Sequence, residues 1–135
     1  TLPPIPEPYI LPNAVVTSQT ITISSIEVTD DTFEAEVLQA DRPTVVDFWA
    51  PWCAPCRALA QTLDEVMPEM DGQVKLVKVN VDEAPQTAAL FGIRSIPTLA
   101  FFKGGEALGG VTGALPGNTL RDLLQRHVEG RLETE

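Results

Sequence analysis

The sequence predicts one α/β domain: a mixed sheet of five strands with four helices packed on its two faces. Three observations carry this. From about residue 20, segments of strand period and helical period alternate in the order β-α-β-α-β-α-β-β-α, the pattern of a layered α/β domain. The last two strands are joined across Gly104-Gly105, a hairpin signal, so part of the sheet is antiparallel. Finally, the 135 residues are 44% hydrophobic and 21% charged. That size and composition suit a single domain that buries roughly two-thirds of its unfolded surface without disulfide staples or structural metal.

The elements follow in order. Residues 1–12 hold Pro3, Pro4, Pro6, Pro8 and Pro12, five of the twelve prolines. Fixed φ and missing amide donors predict an extended or disordered stretch there, so residues 1–19 are read as an extension, 20–130 as the domain and 131–135 as a tail. Ile21 and Ile23, then Ile26 and Val28, alternate with polar residues as in a half-buried strand. Asp30 or Asp31 is expected to cap a helix bearing Phe33, Val37 and Leu38, with Glu34 completing a capping box from Asp31. Thr44 to Trp49 (TVVDFW) reads as a buried strand with one odd member, Asp47. Cys56, Leu59, Ala60, Leu63, Val66, Met67 and Met70 recur at helical spacing, and Pro68 predicts a kink or stop near residue 66. Val74 to Val81 is a further strand and Ala84 to Phe91 a short helix. Thr98–Phe102 and Ala107–Val111 form the hairpin, and Leu115 to Val128 an amphipathic helix on which His127 is expected at the surface.

Charge narrows the function. Nine basic against nineteen acidic residues give a net charge of −10, which argues against binding nucleic acid through phosphates and against anionic membranes. No apolar run reaches the roughly 18–20 residues needed to span a bilayer. No Lys or Arg precedes Arg42, while seven acidic residues do. That pattern fits neither an intact secretory signal nor an Arg-rich transit peptide, and a cytoplasmic location is expected, with a periplasmic or organellar one after removal of a targeting segment as the alternative.

The two cysteines, Cys53 and Cys56, form one Cys-x-x-Cys pair. A structural zinc site wants four ligands, and His127 alone does not complete one, so no metal is expected and a redox pair is the better reading. Cys53 falls where a strand ends and a helix begins, with Pro55 in the first turn, where its missing amide does no harm. Helix N-terminal amides favour a thiolate there. Asp47 lies in a strand that otherwise buries apolar residues; burial raises a carboxyl's proton affinity and poises it for proton transfer near neutral pH. A solvent-exposed pair with Lys78 is the alternative for both residues.

The segment Val46-Asp47-Phe48-Trp49-Ala50-Pro51-Trp52-Cys53-Ala54-Pro55-Cys56-Arg57 resembles the active-site stretch of the thioredoxin family. So do Gly92-Ile93-Arg94-Ser95-Ile96-Pro97-Thr98, Phe102-Lys103-Gly104-Gly105 and Gly113-Ala114, and the similarity covers roughly residues 26–128. The resemblance implies the thioredoxin fold, a protein disulfide reductase, and catalytic residues Cys53, Cys56, Asp47 and Lys78. Cys53 then attacks, Cys56 resolves the mixed disulfide, Asp47 assists Cys56, and Lys78 tempers Asp47. Thioredoxin is itself a standard example of a lowered Cys-x-x-Cys thiol pKa, so that tuning rests on the resemblance. It also implies a substrate surface of Trp52, Ala54, Pro55, Gly92, Ile96, Pro97 and Gly113. Pro97 resembles a cis-proline opposite the cysteines, and Ile96 beside it pairs with substrate backbone. Turn glycines are the alternative for Gly92 and Gly113, and core packing for Trp49 and Trp52.

The implied partners are a thioredoxin reductase and disulfide-containing proteins; a monomer without bound cofactor is expected. Two departures stand out: Ala54 replaces the family's usual Gly, and Gln61 a kinking proline. An extracytoplasmic relative with a dedicated partner or an oxidising role is the alternative function, and a docking module that uses the fold without its redox chemistry is a third.

Overall fold

The computed structural model describes residues 25–132, so Ile21, Ile23, the Pro-rich segment and residues 133–135 lie outside it. Five strands form one mixed sheet: β1 (Ser25–Val28), β2 (Thr44–Trp49), β3 (Lys75–Asn80), β4 (Thr98–Lys103) and β5 (Glu106–Thr112), in the spatial order β1-β3-β2-β4-β5. β3 is parallel to both β1 and β2, whereas β4 runs antiparallel to β2 and β5.

β2 lies at the centre, which explains its unbroken apolar run. A strand covered on both faces has no reason to alternate, and every residue from Thr44 to Phe48 is buried. Val45 joins Leu59, Leu63, Leu76, Leu99, Leu120 and Leu124 on one face. Val46 and Phe48 join Phe33, Val37, Val77, Val79 and Phe102 on the other. The first layer is closed by α2 (Ala54–Val66) and α4 (Gly117–Val128), the second by α1 (Glu34–Leu38). α3 (Pro85–Leu90) completes the helices, and Phe91 after it stacks on Phe33 and Phe102.

Three local features follow from chemistry legible in the sequence. α2 buries Cys56, Leu59, Leu63 and Val66 at helical spacing, then gives way to a 3-10 turn, Met67–Met70. Pro68 sets that limit, because it has no amide for the ladder and its ring crowds the carbonyl four residues back. At the hairpin, Gly104 and Gly105 have φ +60° and +85°. A two-residue turn with both φ values positive matches the strand twist, and glycine adopts them without steric cost.

Two expectations fail. α1 is a single wide turn in which the Gln39 amide donates to the Glu34 carbonyl, and no side chain caps it. The acceptor that stands near its start, Thr32 Oγ1, takes the Thr29 amide at 2.9 Å. Asp30 serves a different helix: its Oδ1 accepts from the Thr87 amide at 2.8 Å and the Thr87 hydroxyl at 2.7 Å, and its Oδ2 from the Gln86 amide at 3.3 Å. Ala84, at the N-cap of α3, has no side-chain oxygen, so the β1–α1 loop supplies one.

His127 is the second correction. It is 1% exposed, not at the surface. Its Nε2 lies 3.1 Å from both the Thr44 and Phe102 carbonyl oxygens, which only accept. Nε2 therefore carries the proton, and Nδ1 is left buried without a partner. Burial lowers the His127 pKa, the two carbonyls oppose this, and the Lys103 charge adds to the lowering.

Candidate active site

The site forms where the C-terminal end of β2 meets the start of α2. After Trp49 the chain turns through Ala50, Pro51 and Trp52, held by the Cys53 amide donating to the Ala50 carbonyl at 3.2 Å. Arg57 Nη1 donates to the Pro51 carbonyl at 2.8 Å, so this side chain braces the turn from the first helical turn. Cys53 is the N-cap of α2, with extended backbone (φ −97°, ψ 109°). Ala54 and the exposed Pro55 follow as the first helical residues, where proline's fixed φ is already suited to a helix.

Cys53 and Cys56 are joined as a disulfide, their Cα atoms 5.2 Å apart. The Cys56 amide donates to Cys53 Sγ at 3.2 Å. An orphan helix N–H aimed at that sulfur, together with the helix dipole, favours negative charge on Cys53 once the disulfide opens. Although it stands at the helix start, Cys53 is only 5% exposed in the disulfide form and Cys56 2%. Ala50, Trp49, Val81 and Ile96 pack around the pair. What faces solvent is the neighbouring surface: Trp52, 67% exposed, with Ala54 and Pro55.

The loop before β4 supplies the opposite wall. The Ile96–Pro97 peptide is cis, and the Ile96 carbonyl oxygen lies 3.8 Å from Cys53 Sγ. The Gly113 amide donates to the Pro97 carbonyl at 2.9 Å, which ties the end of β5 to this wall. Gly113 has φ +98° with open space where a Cβ would stand.

Gly92 has a structural explanation of its own. It is the left-handed residue after α3, its amide bonded to the Ala89 carbonyl and the Ile93 amide to the Ala88 carbonyl. That pair of bonds is a Schellman ending.

Asp47 lies on the same face of β2 as Val45, the face packed by α2. Its side chain is 0% exposed, and neither carboxylate oxygen has a hydrogen-bond partner. The single ionic neighbour within 4 Å is Lys78 Nζ, 3.9 Å from Oδ2. Burial pushes the Asp47 pKa up from 3.8 to about 6; the Lys78 charge works against this and the Glu27 charge with it. A carboxyl of that affinity changes protonation close to neutral pH, as a proton-transfer group requires.

Two polar contacts here had gone unread in the sequence. Trp52 Nε1 donates to Asp82 Oδ2 at 2.8 Å, and Trp49 Nε1 to Glu27 Oε2 at 3.1 Å. Both acids are surface residues far from the cysteines in the chain, and a pattern search gives such residues no weight. Register could have found Glu27, since it pairs with Lys78 across β1 and β3.

Among the described residues no group of three or more His, Cys, Asp or Glu side chains is placed to hold a metal ion, and no helix is long and apolar enough to cross a membrane.

Comparison with known proteins agrees with this geometry. The thioredoxin family model matches residues 24–126. The chain is 52% identical over 105 residues to Thioredoxin 1 of Nostoc sp., covering 78% of this chain and 98% of that protein. It is 49% identical over 102 residues to the thioredoxin of Synechocystis sp. (76% and 95%). It is 46% identical over 103 residues to that of Haemophilus influenzae (76% and 96%).

Proposed function

The chain belongs to the thioredoxin family and is a protein-disulfide reductase with Cys53 and Cys56 as its redox pair, and from that premise we propose how its residues divide the reaction. The observation that carries the division is the asymmetry of the two sulfurs. Cys53 Sγ receives a helix amide and lies against the Ile96 carbonyl, whereas Cys56 lies within the helix and is covered.

The reduced protein attacks through the Cys53 thiolate. Its sulfur bonds to one sulfur of the substrate disulfide, and the other leaves as a thiolate that takes a proton. Cys56, deprotonated with Asp47 as the acceptor, then attacks Cys53 Sγ and expels the second substrate thiolate. Substrate gains two electrons and two protons, and the protein is left with the Cys53–Cys56 disulfide. A reductase drawing on NADPH returns the electrons.

Substrate is held by apolar contact with Trp52, Ala54 and Pro55 and by backbone pairing at Ile96, with Pro97 and Gly113 shaping the wall. Lys78 restrains the proton affinity of Asp47. Gly92 serves this surface only indirectly, through the loop after α3. The reading includes a monomer working in the cytoplasm, the compartment where a reducing dithiol is maintained.

The test is trapping. Cys56→Ser should hold substrate as a mixed disulfide through Cys53, seen as an added mass lost on treatment with dithiothreitol, and Cys53→Ser should trap nothing. Trapping through Cys56 in the Cys53→Ser protein would reverse the roles.

A further inference from the structure

Glu27, Lys78 and Asp47 are in register across three adjacent parallel strands. Glu27 of β1 pairs with Lys78 of β3, and Lys78 with Asp47 of β2. In-register residues of parallel strands share a face, so the three form a charged row from the sheet's edge to its buried centre. The row is held at both ends. Lys78 Nζ is 3.9 Å from Asp47 Oδ2 and 5.0 Å from the centre of the Trp49 ring. Glu27 reaches over β3 to the same tryptophan, with Oε2 3.1 Å from Nε1. Trp49 thus anchors a surface carboxylate on the face that carries Lys78 and Asp47. Among the described residues no other charged group is placed against Asp47. β4 offers Leu99 in register, α2 presents its disulfide and leucines, and α4 contributes Leu120 and Leu124, with His127 at the Thr44 end of β2.

We propose that Glu27 is a positioning residue for the reaction: anchored on Trp49, its carboxylate keeps a negative charge on the face that holds the buried Asp47 and so keeps the proton affinity of Asp47 high. Repulsion between the two acids raises that affinity, against the attraction of the Lys78 ammonium. This rests on the reading of Asp47 as the group that deprotonates Cys56. The backbones of the two acids stand two strand spacings apart, roughly 10 Å, which is an upper measure of the separation because Glu27 reaches over β3. At an effective dielectric of about 40, between protein surface and water, one charge at that distance shifts a titration by roughly half a pH unit.

The experiment titrates the Asp47 carboxyl carbon by NMR in the oxidised, full-length protein, with Asp47→Asn for assignment, in wild type and Glu27→Gln. Glutamine keeps an acceptor for Trp49 Nε1 and removes only the charge. The expected result is a midpoint lower by roughly half a unit in the variant at low salt, with the difference shrinking in 1 M NaCl because Glu27 is exposed to counterions. Equal midpoints at low salt, or a difference indifferent to salt, would overturn the proposal. The pH profile for resolution of the mixed disulfide by Cys56 is measured on the reduced forms of wild type and Glu27→Gln, both of which keep Cys56. A profile that moves with the titration carries the effect into the reaction, whereas a shifted titration with an unmoved profile counts against Asp47 as the proton acceptor and leaves the Glu27 coupling standing.

Discussion

Replacing Asp47 with Ala should stabilise the protein, and by an amount that grows with pH. In the native state the carboxyl titrates near 6, against 3.8 for an ordinary aspartate. Because the folded protein holds this proton more tightly than the unfolded chain, the group favours folding below about pH 4. That contribution is lost as pH rises through about 6. At about 1.4 kcal/mol per unit, the rise from 3.8 to about 6 amounts to about 3 kcal/mol. Asp47→Ala removes this cost, so its stability relative to wild type should be about 2–3 kcal/mol more favourable at pH 8 than at pH 4, where the unfolded carboxyl is already partly ionised.

The comparison across pH is what isolates the charge. Truncation also leaves a small void and releases an unpaired polar group, effects of opposite sign. Both are present at either pH and cancel in the difference. The assay is urea unfolding of the oxidised proteins at pH 4 and 8, since the disulfide keeps thiol titration out of the measurement. A stability difference that stays constant across this range, or wild type gaining on the variant as pH rises, would refute the buried-carboxylate argument. Slower resolution of mixed disulfides by Asp47→Ala should accompany the gain.

Other outcomes follow from the same structure and sequence. His127→Ala should cost about 2–4 kcal/mol at neutral pH by emptying a packed site and stranding two carbonyls, whereas His127→Leu should fill more of the void and, by calorimetry, gain stability relative to wild type as pH falls below 6.5. Deleting Thr1 to Ser18 should leave insulin reduction intact and melting temperature within a few degrees, because that Pro-rich stretch lacks helical or strand period; a larger drop, or a change in solution mass, would mean that Tyr9, Ile10, Leu11, Val15 and Val16 pack on the domain or a second chain.

How much was legible differs by residue, for physical reasons. Strand and helix positions from Thr44 onward followed from period and from proline, since those rules act within a few residues. Asp47 was visible because it breaks an apolar run. His127 was missed although the signal existed: it lies seven residues after Leu120 and three after Leu124, both buried, so helical spacing puts it on the covered stripe. What misled was residue type, since histidine's burial depends on acceptors in other strands that the local sequence does not contain. Asp30 went astray in the same way. Its position suited α1, but the helix lacking an acceptor was α3, more than fifty residues on. Ile26, read with Val28 as the covered face of a half-buried strand, is 39% exposed on the edge strand β1, while Val28 is buried.

Asp47 and His127 bear on β2 from opposite ends, and their titrations oppose each other. His127, its affinity lowered by burial, stabilises the fold fully above its unfolded value of 6.5 and loses this contribution as pH falls below it. Asp47 does the reverse, favouring the fold most below about 4 and least above about 6. Between these limits each masks the other, so the wild-type stability curve alone reports neither. The masking also separates structure from function within one strand. The end at Thr44 uses its buried polar group to tie α4 to two strands through backbone carbonyls. The end near Trp49 leaves its carboxylate without a hydrogen bond and with only a distant ammonium. A group retained there at a cost of about 3 kcal/mol is poorly explained by folding, and the role proposed for it, as proton acceptor for Cys56, supplies a reason to keep it.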